Sequence, residues 1–537
     1  MKNKISACLL SCFALLSLTG CYEDKGNYTY SELEDIEVTF PDKIVAMEGS
    51  EYLEFDPVVV STINGTISAD NSDYTYTCRL NKSWKDEFNQ THTWTDMNPE
   101  GTKKVKFFAD VPAGSYYFWY TVTNKKTDVT FNFKGTCSVI STTSEGWMVL
   151  CNDGADKRVR LDLIFKDSKG VDRVRQDIFN ADCPVLHNAT AMTFSPSLYA
   201  NPGDQMILQS YSDAYSLNKT TMQFTQNNCV KAYDFMDSST EGNIIAWQPI
   251  FSAGSYGPLT RACVSDLGDA YGVFTSYSGN AFEFPMNTDE PGNPPTYKVA
   301  PFIGTGQSRP GKSNGALFYD KTNKRFMGWY YYNSGDAQKL LYPLRDPENA
   351  KFSFQTGMDM VYMEGTELNN IVWSVLQDAS GKRYLYGIIV AGYSANFEQE
   401  GRFEVNAPDF DTADSYAFHS LAGLMFYSKG NKVYCYNIYT GRLLDTLTLD
   451  ASEKVTKLKF NLYKAMVREN LRGWNDEFRD DQYRLIVAST TGQENGGIVR
   501  FYDIDYLNIN SGKMTLNREY KGFGQEIVDV TYREQRR

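Results

Sequence analysis

The chain has 537 residues, 53 Lys and Arg against 66 Asp and Glu, and a formal charge of −13. That balance, without any basic block, argues against nucleic acid and against electrostatic docking on anionic lipid. Aromatic residues make up 14% of the chain, which suits a β-rich extracellular protein, and the length exceeds what one core accommodates, so more than one domain is expected.

Residues 1–20 read as a secretory signal. Met1-Lys-Asn-Lys supplies two lysines and an apolar run from Ile5 to Leu18 follows, too short and wrongly flanked for a membrane span. Leu18-Thr-Gly-Cys21 has the form of a bacterial lipobox. Gly20 suits a narrow peptidase pocket, and the Cys21 thiol is the one nucleophile there able to carry a thioether-linked lipid. Cys21 is therefore expected to become the lipidated mature N-terminus, with residues 21–35 as a polar tether. No second apolar stretch reaches spanning length, so the lipid is the expected anchor.

Residues 36–142 show short alternating strands broken by turns, among them Ile36–Phe40, Val58–Ile63, Tyr74–Leu80 and Lys104–Phe108. The most legible is Gly114–Asn124, where a Gly turn leads into a strand with Tyr116, Phe118, Tyr120 and Val122 on one face. This spacing predicts a β-sandwich of immunoglobulin type. Of the ten cysteines, Cys8 and Cys12 leave with the signal and Cys21 takes the lipid. The remaining seven are odd in number, irregularly spaced and without a CxxC, which is no disulfide framework. Cys78 shares a face with Tyr74, Tyr76 and Leu80, and Cys137 follows Phe131 and Phe133 at even spacing. Both point inward, which leaves two options, a disulfide between them or buried reduced thiols.

The lipobox, the start Cys21-Tyr-Glu-Asp-Lys-Gly-Asn-Tyr28 and the strand carrying Gly114-x-Tyr and Val122-Thr-Asn resemble the PKD-like lipoproteins of gut Bacteroidetes. Tyr22-Glu23-Asp24 resembles the acidic signal that sends such lipoproteins to the outer face of the outer membrane. In that family an immunoglobulin-like domain precedes a larger β-rich region, and Ser144–Leu150 resembles the start of the latter. The Trp-x-Phe-Gly-Asp-Gly signature of authentic PKD domains is missing here, so the resemblance implies a sandwich without fixing its strand order.

Residues 143–537 carry an internal repeat. Gly430–Ile438 aligns with Gly496–Ile504, pairing Val433 with Val499 and Tyr436 with Tyr502. A strand, a turn, an aromatic strand, a Thr-Gly turn and an outer strand make the pattern of a propeller blade. Weaker copies lie at Gln205–Tyr211, Ala270–Ser276, Gly315–Tyr332 and Tyr384–Val390. The expectation is an all-β chain, the sandwich followed by a β-propeller of about seven blades, with a charged helical insertion near 463–479.

Several motifs bear on chemistry. Gly306-Gln-Ser-Arg-Pro-Gly-Lys-Ser313 satisfies the P-loop pattern, but a strand and turn follow where a phosphate cradle needs a helix, so an inter-blade loop is expected. His92, His187 and His419 are far apart, without an HExxH or GxSxG. Asp503 with Asp505, and Asp162 with Asp167, have acidic spacing but no EF-hand loop, and read as turn carboxylates. Trp247, Trp329, Tyr331, Trp373 and Trp474 have faces suited to the apolar side of a sugar ring. No metal and no cofactor are expected, and no catalytic residue stands out.

The leading expectation is a non-enzymatic surface lipoprotein that binds a glycan or peptide, or a partner protein. The family resemblance implies loci pairing a TonB-dependent transporter with its binding lipoprotein, which would be its partners. One alternative is a glycoside hydrolase or lyase using carboxylates in the propeller funnel. Another is a scaffolding or adhesin-like subunit.

Overall fold

A computed structural model describes residues 33–534 apart from 86–90, 144, 196–203, 251–259, 274–280, 307–314, 331–338, 391–396, 463–479 and 509. The signal, Cys21, most of the tether, the core of the P-loop-like motif, Tyr331, Trp474 and the expected helical insertion lie outside the described residues. The chain divides into two compact units, 1–139 and 140–537.

The first unit is a β-sandwich. A five-stranded sheet places the strands Val45–Met47, Val129–Ile140, Gly114–Asn124, Tyr74–Lys85 and Thr91–Asp96 side by side, the last four antiparallel to one another. A three-stranded sheet begins at Ile36–Thr39, and Tyr52–Phe55 pairs with Val105–Phe108. The period-2 pattern decides which residues face inward. Along Gly114–Asn124, Tyr116, Phe118, Tyr120 and Val122 are buried while Tyr117 and Trp119 are exposed. Phe118 packs on Phe55 at 5.0 Å and on Phe40 at 5.1 Å between ring centroids, joining strands of different sheets into one core.

The disulfide option between Cys78 and Cys137 is not taken: both thiols are free and buried. Their strands are not neighbours, because Gly114–Asn124 runs between them. Cys78 stands opposite Tyr120 and Cys137 opposite Tyr116, so they are separated both across and along the sheet. Two strand spacings alone amount to about 10 Å, beyond the roughly 7 Å between Cα atoms that a disulfide tolerates. Cys78 Sγ rests instead 3.9 Å from Met97 Sδ. Unfolded without reductant, the full chain is therefore expected to alkylate at both positions, as read by peptide mass spectrometry.

The second unit is a β-propeller. Its described residues form seven antiparallel sheets in chain order, each except those of blades 1 and 4 with its innermost strand first. Blade 1 closes the unit. The final strand Glu526–Arg533 pairs with Gly146–Asp153, followed outward by Arg158–Lys166 and Asp172–Arg175. Trp147 and Tyr532, opposite each other in this pairing, approach at 5.0 Å. The inner strands of blades 2, 3, 5, 6 and 7 are Ala189–Ser195, Ile244–Ile250, Asp359–Gly365, Ser415–Phe418 and Lys454–Lys459. In blade 4 that place is taken by the segment through Gly304, which exchanges hydrogen bonds with Leu317.

The internal repeat has a structural meaning. Lys432–Asn437 and Gly497–Ile504 are the third strands of blades 6 and 7, and Ala270–Val273, Arg325–Tyr330 and Arg383–Val390 are third strands too. The matched Val433 and Val499, like Tyr436 and Tyr502, are buried between blades. Gly315, directly after the P-loop-like motif, opens a strand of blade 4 rather than a helix.

Candidate functional site

One device recurs in the inner strands. Pairing with the second strand skips Thr190 in blade 2, Ile245 in blade 3, Val361 in blade 5 and Thr456 in blade 7. The final strand, inner to blade 1, skips Val528. Each is a β-bulge, whose extra residue shifts the in–out alternation by one and re-aims every side chain after it. Beyond the bulges stand Ala191 and Thr193, Ala246 and Gln248, Tyr362 and Glu364, Lys457 and Lys459, and Asp529 and Thr531. All ten line one cavity of about 400 Å³, with Pro301, Phe302 and Ile303 contributed by blade 4. The residues between them, Met192, Trp247, Met363, Leu458 and Val530, belong to the cores of the blades. The cavity is thus the axial channel of the propeller.

Its charges sit on three strands. Asp529 Oδ1 accepts from Lys459 Nζ at 2.7 Å and from the Val530 N–H, and Oδ2 accepts from the Met192 N–H at 2.9 Å. Lys459 Nζ also donates to Thr531 Oγ1, and Thr531 Oγ1 donates to the Met192 carbonyl. Burial works to raise the Asp529 carboxyl, but the Lys459 and Lys457 ammoniums and these donors hold it below the usual carboxylate range. Asp529 therefore fastens the inner strands of blades 7, 1 and 2 to one another.

Glu364 behaves differently. Burial pushes its carboxyl up to about 7, against the pull of Lys457, the Phe418 N–H and the Tyr362 hydroxyl. Its Oε2 accepts from Tyr362 at 3.2 Å and from Phe418 N at 3.1 Å. Lys457 lines the same cavity with no carboxylate within 4.0 Å and no hydrogen-bond acceptor among the described residues. The channel thus offers an unpaired ammonium, a carboxyl that holds its proton near neutrality and a tyrosine hydroxyl.

Of the described residues singled out from sequence, Trp247 borders this cavity and the others lie elsewhere. Trp329 and Trp373 are 1% exposed in the cores of their blades, Trp373 stacked on Phe418 at 5.9 Å. Trp247 is 2% exposed, in the core between blades 2 and 3. None of these three rings has an open face for stacking. His419 is buried, its ring held neutral by desolvation and packed on Phe460 and Tyr506, whereas His187 bonds the Asp156 carbonyl away from it. Asp503 pairs with Arg484, Asp162 with Arg160 and Asp167 with Arg173. Among the described residues no group of three His, Cys, Asp or Glu is placed to hold a metal.

The PKD-like family model matches residues 21–182. No curated protein matches the chain. Among solved structures, a quinonprotein alcohol dehydrogenase-like protein from Bacteroides thetaiotaomicron is 10% identical, covering 92% of this chain and 97% of that one at a TM-score of 0.42. The β-propeller domain of Cps50 (Swd1) from Myceliophteria thermophila is 11% identical, covering 66% and 96% at a TM-score of 0.39.

Proposed function

We propose that this chain is a non-enzymatic surface lipoprotein, anchored to the outer membrane through Cys21, whose propeller channel captures an extracellular glycan or peptide for a TonB-dependent uptake system. A propeller behind a PKD-like domain fits a binding or scaffold role. The observation that carries the channel reading is Lys457, a half-buried ammonium with no carboxylate within 4.0 Å among the described residues, beside Glu364 and Tyr362 in an axial cavity. Keeping an ammonium there costs solvation that a ligand's carboxylate would repay. The carboxylate pair a glycosidase needs is not free, because Asp529 spends both oxygens on Lys459 and backbone N–H groups.

The anchoring and the partners rest on the lipobox and the family resemblance. Affinity purification of the lipidated protein from outer membranes, read by mass spectrometry, is expected to recover a transporter and its binding lipoprotein. That system's cargo is then expected to raise the thermal midpoint of the full chain, and Lys457→Gln to abolish the shift. A partner-free monomer whose midpoint no cargo moves would sink the reading. A second reading, a hydrolase or lyase, is favoured by the raised carboxyl of Glu364, which would donate a proton at neutral pH; it requires turnover that Glu364→Gln removes.

A further inference from the structure

The outer face of the five-stranded sheet departs from what a solvated strand face should carry. Much of it is polar: Thr121 donates to Asn132 at 2.8 Å, and Thr123 and Thr130 share a hydrogen bond at 3.1 Å. Toward the other end of the same strands stand Trp94, Tyr117 and Trp119, which are 44%, 46% and 40% exposed. The register makes them one patch. Asn81 is opposite both Trp94 and Tyr117, so these three form a row across the sheet. In the adjacent row Trp119 is opposite Arg79 on one side and Lys134 on the other. Tyr117 and Trp119 are about 7 Å apart along their strand. Large aromatics gathered on a solvent-facing sheet bury nothing within the fold, and such clusters mark a surface that something else covers.

The flanking charges say what kind of partner that is. Arg79 and Lys134 are both exposed, and neither has a carboxylate within 4.0 Å among the described residues. Lys134 Nζ lies 4.2 Å from the Tyr117 ring centroid, a cation held on an aromatic edge of the patch. Arg79 also stands opposite the exposed Asp96 on the next strand, so the row of Asp96, Arg79, Trp119 and Lys134 carries two cations against one carboxylate, a locally positive row in a chain of formal charge −13. We infer that this face binds an acidic oligosaccharide, whose pyranose rings stack on Trp119 and Tyr117 while its carboxylates or sulfates meet Arg79 and Lys134. The ring faces match the apolar C–H side of a sugar, and the guanidinium matches an oxyanion with two parallel N–H bonds. A neutral glycan would leave both cations unused. A second protein would need an area well beyond three rings and two cations. The site lies wholly within the sandwich and does not depend on the channel.

The test is affinity electrophoresis and titration calorimetry of the full chain against oligogalacturonate, chondroitin sulfate oligosaccharide, neutral galactan and oligothymidylate. Binding to at least one acidic glycan is expected, weakening with added salt, and the two acidic probes separate carboxylate from sulfate recognition. Trp119→Ala is expected to weaken it about tenfold, and Arg79→Gln with Lys134→Gln by a similar factor with a flatter salt dependence. Thr130→Ala, on the same face outside the cluster, is expected to bind as the parent does. These positions are exposed, and circular dichroism of each variant reports on folding. Failure to bind either acidic glycan, equal binding of neutral galactan, or full affinity in Trp119→Ala would overturn the assignment. Equal binding of oligothymidylate would do so too, by making the patch a general polyanion site.

Discussion

Asp529→Ala is expected to destabilise the propeller by about 3–5 kcal/mol, the range for removing one partner of a buried ion pair. The carboxylate is 4% exposed and joins three blades, taking Lys459 Nζ from blade 7 and the Met192 N–H from blade 2 onto the strand that closes blade 1. Alanine leaves a buried ammonium uncompensated and a backbone donor without its acceptor, and both costs fall on the ring closure. Lys459 keeps its bond to Thr531 and borders the cavity, which moderates the loss toward the lower figure. Denaturant unfolding at pH 7 measures this. Asp529→Asn, which retains an acceptor for Met192, is expected to lose less. Pairing Asp529→Leu with Lys459→Met is expected to recover most of the stability, since an apolar pair of similar size needs no compensation. The pH dependence has the same direction. A carboxyl held below its unfolded value contributes stability that is present above that value and is lost as acid protonates the native state. An unchanged midpoint in Asp529→Ala would remove Asp529 from the list of residues that hold the ring closed.

The fold is legible in the sequence because it is written in short-range periodicity. Tyr116, Phe118, Tyr120 and Val122 alternate strictly, and the structure buries each of them. The matching stretches at 430–438 and 496–504 are equivalent third strands, where inter-blade packing demands the same residue sizes. The channel was not legible, for a reason equally local. Tyr362-Met-Glu364, Lys457-Leu-Lys459 and Asp529-Val-Thr531 alternate polar with apolar and look like ordinary solvent-facing strand edges. Only the bulges at Val361, Thr456 and Val528, made of residues common in any strand, direct them to the axis. Ring closure then brings residues from distant parts of the chain together, and no spacing rule reports that. The aromatics failed in the opposite sense. Alternation places half of any aromatic strand inside, and Trp329 and Trp373 fall on that half, whereas Trp94, Tyr117 and Trp119 fall on the open one.

Glu364→Gln is expected to stabilise the propeller above neutral pH and to change little in acid. Burial raises the Glu364 carboxyl from 4.5 to about 7 in the native state. The native protein therefore holds this proton more tightly than the unfolded chain does. The resulting stability is full below about pH 4.5 and is lost as pH rises through about 7, a difference of about 3 kcal/mol. Glutamine keeps an acceptor for the Phe418 N–H and the Tyr362 hydroxyl without the ionisation. Its advantage is accordingly expected to be near zero at pH 4.5 and to approach about 3 kcal/mol at pH 8, read from denaturant midpoints at the two pH values. The opposite result, a parent more stable than Glu364→Gln at pH 8, would mean that Glu364 is ionised and already neutralises Lys457. The ammonium would then have no charge to spare for a ligand, and the case for an anion in the channel would fall with it.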